Sequence, residues 1–247
     1  MEQSLKEVRV ENGSKFIGMV FLYTFIALAI TALVAATVGF VFSSAICPID
    51  DYTVAVDTNK LQPYVILLVT SIILYIPLLI WIHIVAFRGR GRLDIPFVIY
   101  AIVMGVLISA FTMFVPIHLI AISFGITCVI FGALSLIALT SKKDLSFLGL
   151  VALGIFFGAM LVAIFNLVWS LVFPNSFQML YWVVSYGIFF AIMLITIVDV
   201  YRVKQIAQRG EHTTNIALFC AFNLYVDFIY IFLRVLIIVA RIFGNNR

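Results

Sequence analysis

The chain has 247 residues, of which 65% are hydrophobic and 11% are charged, and its mean hydropathy is +1.23. This composition excludes a soluble globular domain and is typical of an integral membrane protein. The formal net charge is only +4. The basic residues cluster in short loops, which indicates membrane topology and argues against a nucleic-acid partner. The lipid bilayer is therefore the first partner that the sequence predicts.

Seven apolar stretches follow a polar N-terminal tail, residues 1–15, which we expect to be disordered. Residues 16–244 are predicted to form a single all-α domain, a bundle of seven transmembrane helices. The sixth helix is expected to continue beyond the membrane surface to about Gln208. The predicted spans are residues 16–42, 64–87, 95–115, 116–139, 145–173, 177–198 and 215–244.

The loops between these spans differ in charge. Those after spans two, four and six contain eight basic residues, whereas those after spans one, three and five contain only Lys60. Because cytoplasmic loops are enriched in Lys and Arg, this imbalance predicts a cytoplasmic N-terminus. The eight residues are Arg88, Arg90, Arg92, Lys142, Lys143, Arg202, Lys204 and Arg209.

The last span carries an acid, Asp227, near its middle. A lone charge in hydrocarbon costs several kcal/mol, so such a residue faces a bundle interior or a water-filled cavity. This predicts that the last helix lies at the centre of the bundle. At helical spacing the acid belongs to a polar stripe made of Asn223, Asp227, Tyr230, Arg234 and Arg241.

A second acid, Asp199, lies near the end of the sixth span. Asp199 and Asp227 are each about 15 Å from the cytoplasmic ends of their helices, so antiparallel packing would bring them together. Two carboxylates in a low-dielectric interior cannot both ionise cheaply, so we expect a proton-sensitive latch or a cation site. The alternative is that each acid is paired separately with an Arg or a Tyr for packing.

Two arginines could accompany this pair. Arg88 ends the second span at a suitable depth, although an ordinary positive-inside anchor explains it equally well. Arg234 could be a charge partner of Asp227, with Tyr230 between them, or could extend to the outer surface. No cofactor is expected, and the histidines form no metal motif. An intramembrane aspartyl protease is disfavoured because no Gly-x-Gly-Asp is present, so no enzyme is predicted.

Several short motifs resemble those of one family in sequence order. Residues 142–149, K-K-D-L-S-F-L-G, resemble the signature that follows the fourth helix of the Bax inhibitor-1 family. Residues 124–127, F-G-I-T, resemble the motif upstream of it. Residues 224–229, L-Y-V-D-F-I, and residues 241–244, R-I-F-G, resemble motifs of the last helix. In the family a glutamate usually precedes F-G-x-T, where this chain has Ile122.

The resemblance implies a seven-helix bundle with a central last helix and a pH-sensitive calcium leak across a membrane. It also implies a pH sensor made of Asp199, Asp227 and Arg88, with transient Ca²⁺ contact at the two aspartates. Calcium ions and protons would then be the small partners of the protein.

The alternative function is a non-conducting regulator that binds other membrane proteins, such as membrane proteases or cell-death proteins. The compact chain favours a bacterial cell membrane, with an intracellular membrane such as the endoplasmic reticulum as the alternative.

Overall fold

The computed structural model describes the backbone of residues 2–42, 46–50, 53–56, 58–88, 91–172, 178–210 and 213–244, and the side chains of residues 12–42, 58–88, 91–112, 115–164, 184–210 and 213–243. These residues are almost entirely helical. Their helices are α1 (Glu2–Phe42), α2 (Thr58–Arg88), α3 (Asp94–Phe114), α4 (Ile117–Thr140), α5 (Ser146–Val172), α6 (Gln178–Arg209) and α7 (Thr214–Gly244).

Each predicted span corresponds to one helix. Helices α1 to α6 are long and apolar enough to cross a membrane. The expected extension of the sixth helix is confirmed, because α6 ends at Arg209 and Gly210 follows with a φ of 85°. Glycine adopts this left-handed conformation without steric cost and so ends the helix. The turn between α5 and α6, and Arg90, lie outside the described residues.

The N-terminal end of α1 differs from the expected disordered tail, since its backbone is helical from Glu2. Residues 2–9 are rich in Glu, Gln, Leu, Lys and Arg, which favour helix. Gly13, at the start of the described side chains, packs closely against α6. A Cβ added there would lie 3.1 Å from the Ala207 carbonyl oxygen. The absence of a side chain thus allows the start of α1 to rest on the end of α6.

A short antiparallel hairpin, which the sequence pattern does not predict, connects α1 to α2. Its strands are β1 (Ile46–Asp50) and β2 (Thr53–Val56), with Ile46 paired to Val56. Strands of this length are too short to give a clear alternation of apolar and polar residues.

Helix α7 is the centre of the bundle, the position that its buried acid predicts. It packs against α1, α2, α3, α4 and α6. Its fully buried side chains include Phe222, Leu224 and Tyr225. The other helices expose many large apolar side chains, such as Leu33 and Leu150. A lipid environment accounts for this pattern, because hydrocarbon accepts apolar side chains that water would not.

A hydrogen bond joins the C-terminal end of α6 to the turn between α4 and α5. Lys204 of α6 donates from Nζ to the Ser141 carbonyl oxygen at 2.6 Å, at the end of α4. The following turn is closed by Asp144, whose Oδ1 accepts the Ser146 backbone N–H at 2.9 Å as α5 begins. Helix α5 then packs along α6. The turn with the K-K-D-L-S-F-L-G sequence is therefore attached to the helix that carries Asp199.

Candidate functional site

The acid of α7 is buried in the middle of the bundle. Asp227 is 7% exposed, and its Oδ2 atom has no hydrogen-bond partner among the described residues. Leaving a buried polar group unsatisfied costs about 1–3 kcal/mol, and more when the group is charged. A cost of this size needs a compensating reason, and a functional role is one such reason.

The second acid belongs to α6 and has a cation beside it. The side chain of Asp199 is 13% exposed. Arg202, one turn further along α6, donates from Nη1 to Asp199 Oδ1 at 3.1 Å. The Arg202 side chain is 65% exposed, so it reaches Asp199 from an exposed side of α6. The charge of Asp199 is therefore balanced within its own helix.

Asp227 faces the turn of α6 that leads to Asp199. It lies beside the Thr196 hydroxyl and within range of the Asp199 charge. Thr196 donates its own hydroxyl proton to the Ile192 carbonyl oxygen at 2.9 Å. With its proton placed there, the Thr196 oxygen can accept a hydrogen bond from a protonated Asp227, and with the hydroxyl turned the other way it can donate one to the Asp227 carboxylate.

Arg88, the third residue of the expected sensor, is exposed at the end of α2. Among the described side chains it forms no hydrogen bond or ion pair with either aspartate. The cation beside Asp199 in this structure is Arg202. A charge-balancing role for Arg88 stays a prediction.

The polar stripe of α7 is not uniformly buried. Asp227 faces α6, whereas Tyr230 is 45% exposed and borders a cavity together with Tyr75 of α2. Three residues turn a helix by about 300°, so Tyr230 points about 60° away from Asp227. Asn223 is half-buried and Arg241 is exposed.

Arg234, in the C-terminal half of α7, contacts α6. Its Nη1 donates to the Ser185 hydroxyl oxygen at 2.6 Å. Neither alternative considered for Arg234, an ion pair with Asp227 or extension to the outer surface, includes this contact. This bond joins the N-terminal part of α6 to the C-terminal half of α7.

Two cavities approach the aspartates from opposite ends of α7. The inner cavity, about 460 Å³, lies between the ends of α2, α6 and α7 and reaches Cys220, which is within range of the Asp199 charge. The outer cavity, about 330 Å³, lies between α2, α3 and α7 and reaches Tyr75 and Tyr230. Asp227 lies between Cys220 and Tyr230 along α7, and so between the residues of α7 that line the two cavities.

The described residues contain no group of three or more His, Cys, Asp or Glu side chains that could hold a metal ion. A resident calcium ion takes six to eight oxygen ligands. The two aspartates alone supply fewer oxygen atoms than such a site uses.

Thr196 and Arg202 are the site residues that sequence reasoning missed. Both are three residues from Asp199, and helical residues at this spacing share a face. Their three-residue spacing from Asp199 was therefore the feature of the sequence that could have identified them as site residues. Arg202 was instead counted only among the residues that set membrane topology.

These features define a class, the helical multi-pass membrane proteins with ionisable groups inside the bundle. A profile of the family described as "Inhibitor of apoptosis-promoting Bax1" matches residues 13–246. Because the match covers nearly the whole chain, the protein belongs to this family, the Bax inhibitor-1 family. The resemblance seen in the sequence motifs is confirmed.

Two bacterial relatives are similar over much of the chain. The inner membrane protein YbhL of Escherichia coli (strain K12) is 29% identical over 164 residues, which are 64% of this chain and 66% of YbhL. The uncharacterized protein RP147 of Rickettsia prowazekii (strain Madrid E) is 29% identical over 186 residues, 72% of this chain and 73% of RP147. The chain thus matches slightly less than two thirds of YbhL. With the six apolar helices, YbhL supports the expected multi-pass location in a bacterial membrane.

Proposed function

We propose that the protein is a pH-sensitive cation leak, with calcium as the ion, in which Asp199 and Asp227 form the gate. The observation that carries this proposal is the buried Oδ2 atom of Asp227, which lacks a partner and faces the turn that bears a second carboxylate. Ionisable groups inside a membrane protein mark ion or proton pathways by default. Membership of the Bax inhibitor-1 family supports the same function.

The proposed topology has seven crossings and a cytoplasmic N-terminus. Helix α7 would then be the seventh crossing, surrounded by the others. Under this topology the Lys142 turn and the inner cavity face the cytoplasm. The hairpin and the outer cavity face the opposite side.

In the closed state the two aspartates would share one proton. The proton allows Asp227 to donate a hydrogen bond, either to the Thr196 oxygen or to Asp199, and Arg202 balances the remaining charge. This arrangement joins α6 to α7 and keeps the two cavities separate.

Raising the pH would remove the shared proton. Two unit charges about 4 Å apart repel by roughly 4 kcal/mol at an effective dielectric constant of 20. A bias of this size shifts a two-state equilibrium from mostly closed to mostly open. The ionised pair would also attract a divalent cation, since hard cations prefer carboxylate oxygens. The pair would thus act as gate and as transient ion contact, with no catalytic step.

The test is calcium flux from liposomes that contain the purified protein, measured between about pH 6 and pH 8. The wild type should leak faster as the pH rises. Asp199→Asn and Asp227→Asn each remove the repulsion and should give a leak that does not respond to pH. If both variants keep the wild-type pH profile, the aspartates are structural and the paired-acid gate is wrong.

The same experiment separates the leak from the second candidate, a non-conducting regulator that binds membrane proteases or cell-death proteins. A regulator would show no flux at any pH, and substitution of the aspartates would leave the liposomes equally tight. The exposed Lys142–Lys143 turn is the surface that favours this candidate, because it offers charge to a partner at the membrane surface.

A further inference from the structure

An apolar groove, which we call the lateral groove, opens on the side of the bundle between α1 and α4. Its volume is about 330 Å³. Ala32 and Ala36 of α1 and Ala121 of α4 line it and are exposed at its mouth. Its floor consists of three side chains of α7 that are at most 5% exposed, Phe228, Ile229 and Phe232. The lateral groove therefore leads from the lipid-facing surface to the central helix.

Small side chains keep the two walls of the groove apart. Nearer the N-terminal end of α1, the rings of Phe21 and Phe131 bring α1 and α4 together, with their centroids 6.5 Å apart. Along the groove itself the facing positions include Ala32 and Ala121, whose side chains end at Cβ and cannot fill the space between the helices. The groove is thus open along one stretch of the two helices and closed further along them.

The lateral groove runs along the helices. It extends from Leu28 to Ala36 on α1 and from Ile117 to Phe124 on α4, which are lengths of about 12 Å and about 10 Å. Ile117 is the first residue of α4, so one end of the groove lies at the end of that helix. The hydrocarbon of one leaflet is about 15 Å thick. The groove therefore has the direction of an acyl chain in one leaflet and a similar length.

The chemistry of the lining favours a hydrocarbon ligand. Thr31 and Thr112 are its two polar residues. The Thr31 hydroxyl is bonded to the Ala101 carbonyl oxygen at 3.0 Å and to the Tyr225 hydroxyl at 2.7 Å. The Thr112 hydroxyl donates to the Ser109 carbonyl oxygen at 2.6 Å. Because both hydroxyls are engaged within the protein, the groove offers a ligand mainly apolar surface.

The size of the groove distinguishes between apolar occupants. A cavity of about 150 Å³ holds one benzene ring, so the lateral groove has room for about a dozen carbon atoms. One turn of an α-helix, about 10 Å across and 5.4 Å long, needs roughly 420 Å³. A helix of a second copy or of another protein therefore does not fit inside, whereas a single hydrocarbon chain does.

We propose that the lateral groove binds one acyl chain of a membrane phospholipid, which lies against Phe228, Ile229 and Phe232 of α7. Inside a bilayer such binding is driven by van der Waals packing, because the surrounding lipid is as apolar as the groove. An unfilled groove would lose these contacts. The site is independent of the proposed pH gate, because it needs neither aspartate.

The first test asks whether an acyl chain reaches the floor of the groove. The purified protein is placed in nanodiscs of phosphatidylethanolamine and phosphatidylglycerol that contain a small fraction of phosphatidylcholine with a photoactivatable diazirine in one acyl chain. After illumination, mass spectrometry identifies the labelled residues. A chain in the groove should label the three floor residues of α7, which lipid at the bundle surface cannot reach. Label confined to exposed side chains such as Leu33 would overturn the site.

Leucine substitutions in the walls test the same site. Ala32→Leu and Ala121→Leu, alone and combined, fill the groove and should lose the label on α7 while they keep the label on exposed side chains. Ala29→Leu of α1 and Ala133→Leu of α4 are the matched controls, because both alanines are exposed and neither lines the groove. The controls should be labelled like the wild type. Equal labelling of α7 in all the variants would show that the chain does not bind between these walls.

A second readout measures stability. A ligand that binds the native state raises the midpoint of thermal unfolding. Phospholipid added to the protein in detergent should therefore raise the midpoint in the wild type and in both controls, and should raise it less in Ala32→Leu and Ala121→Leu. The midpoint without added lipid shows whether each variant is folded. Rises of equal size in all four variants would mean that lipid acts on the general surface, and would overturn the site.

Discussion

At the scale of single residues, burial decides what each acid does in this protein. Asp144 is exposed, and the backbone N–H of Ser146 donates to its carboxylate, which lowers the pKa of Asp144 below its usual value. It therefore stays ionised at neutral pH and fixes the start of α5. Asp227 is buried, and its Oδ2 atom has no donor within the described part of the chain. The same type of side chain is thus a helix cap at one position and a candidate proton site at the other.

Asp227→Leu should abolish the pH response and leave membrane insertion intact. Replacing the acid with leucine lowers the cost of insertion by roughly 3 kcal/mol. It also removes a buried polar atom without a partner, so the midpoint of thermal unfolding in detergent should rise. The measurements are protein yield in the membrane fraction and the unfolding midpoint.

Asp227→Asn is the control for that substitution, because it keeps the size and polarity of the side chain. It should lose the pH response without the gain in stability. A fall in the unfolding midpoint of Asp227→Leu would contradict this account and would show that the acid contributes to packing.

At the scale of helices, hydropathy predicted the fold well and the site less well. The apolar stretches gave all seven helices, because a bilayer requires continuous runs of apolar residues. Asp199 and Asp227 are predicted to lie at equal distances from the ends of their helices, which suggested that packing brings the two acids together. Sequence depth carries no information on rotation about the helix axis, so it could not predict that Asp227 lies beside Thr196 of α6 while Tyr230 lies near Tyr75 of α2. The contact between Arg202 and Asp199 was not predicted, because the basic residues after each span were interpreted only as determinants of membrane topology.

Helix α1 packs against α3 through Gly105, which gives a test of helix packing. A Cβ added at Gly105 would lie 2.8 Å from the Thr31 carbonyl oxygen and 2.7 Å from the Val34 Cβ atom. Both neighbours belong to α1, and a helix backbone cannot shift without moving other contacts. Gly105→Ala should therefore lower the free energy of unfolding by about 1–3 kcal/mol, the usual cost of overpacking.

Gly125→Ala is the matched control for Gly105→Ala. A Cβ at Gly125 of α4 would have no atom within 4 Å, and alanine favours helix over glycine. This substitution should leave the unfolding midpoint unchanged or raise it slightly. Equal midpoints for the two variants in a thermal melt would mean that α1 and α3 do not pack as described.

At the scale of the whole molecule, the distribution of basic residues predicts its orientation in the membrane. In a cysteine-free background, Lys142→Cys should be protected from a membrane-impermeant thiol reagent applied outside the cell, and Thr58→Cys should react. Both positions are exposed, so access to the reagent depends on the side of the membrane. Reaction of Lys142→Cys in intact cells would reverse the proposed orientation. Labelling of both variants after cell lysis shows that each cysteine is reactive.

The bond between Lys204 and the Ser141 carbonyl oxygen has a consequence for regulation. Arg202, which balances Asp199, and Lys204, which holds the α4–α5 turn, are two residues apart on α6. Under the proposed gate, a movement of α6 that accompanies a change of charge at the aspartates would also displace this turn and its two exposed lysines. Coupling between two sites is reciprocal in free energy. A molecule that holds the turn in one position would change the proton affinity of the aspartates by the same amount as their protonation changes its own binding.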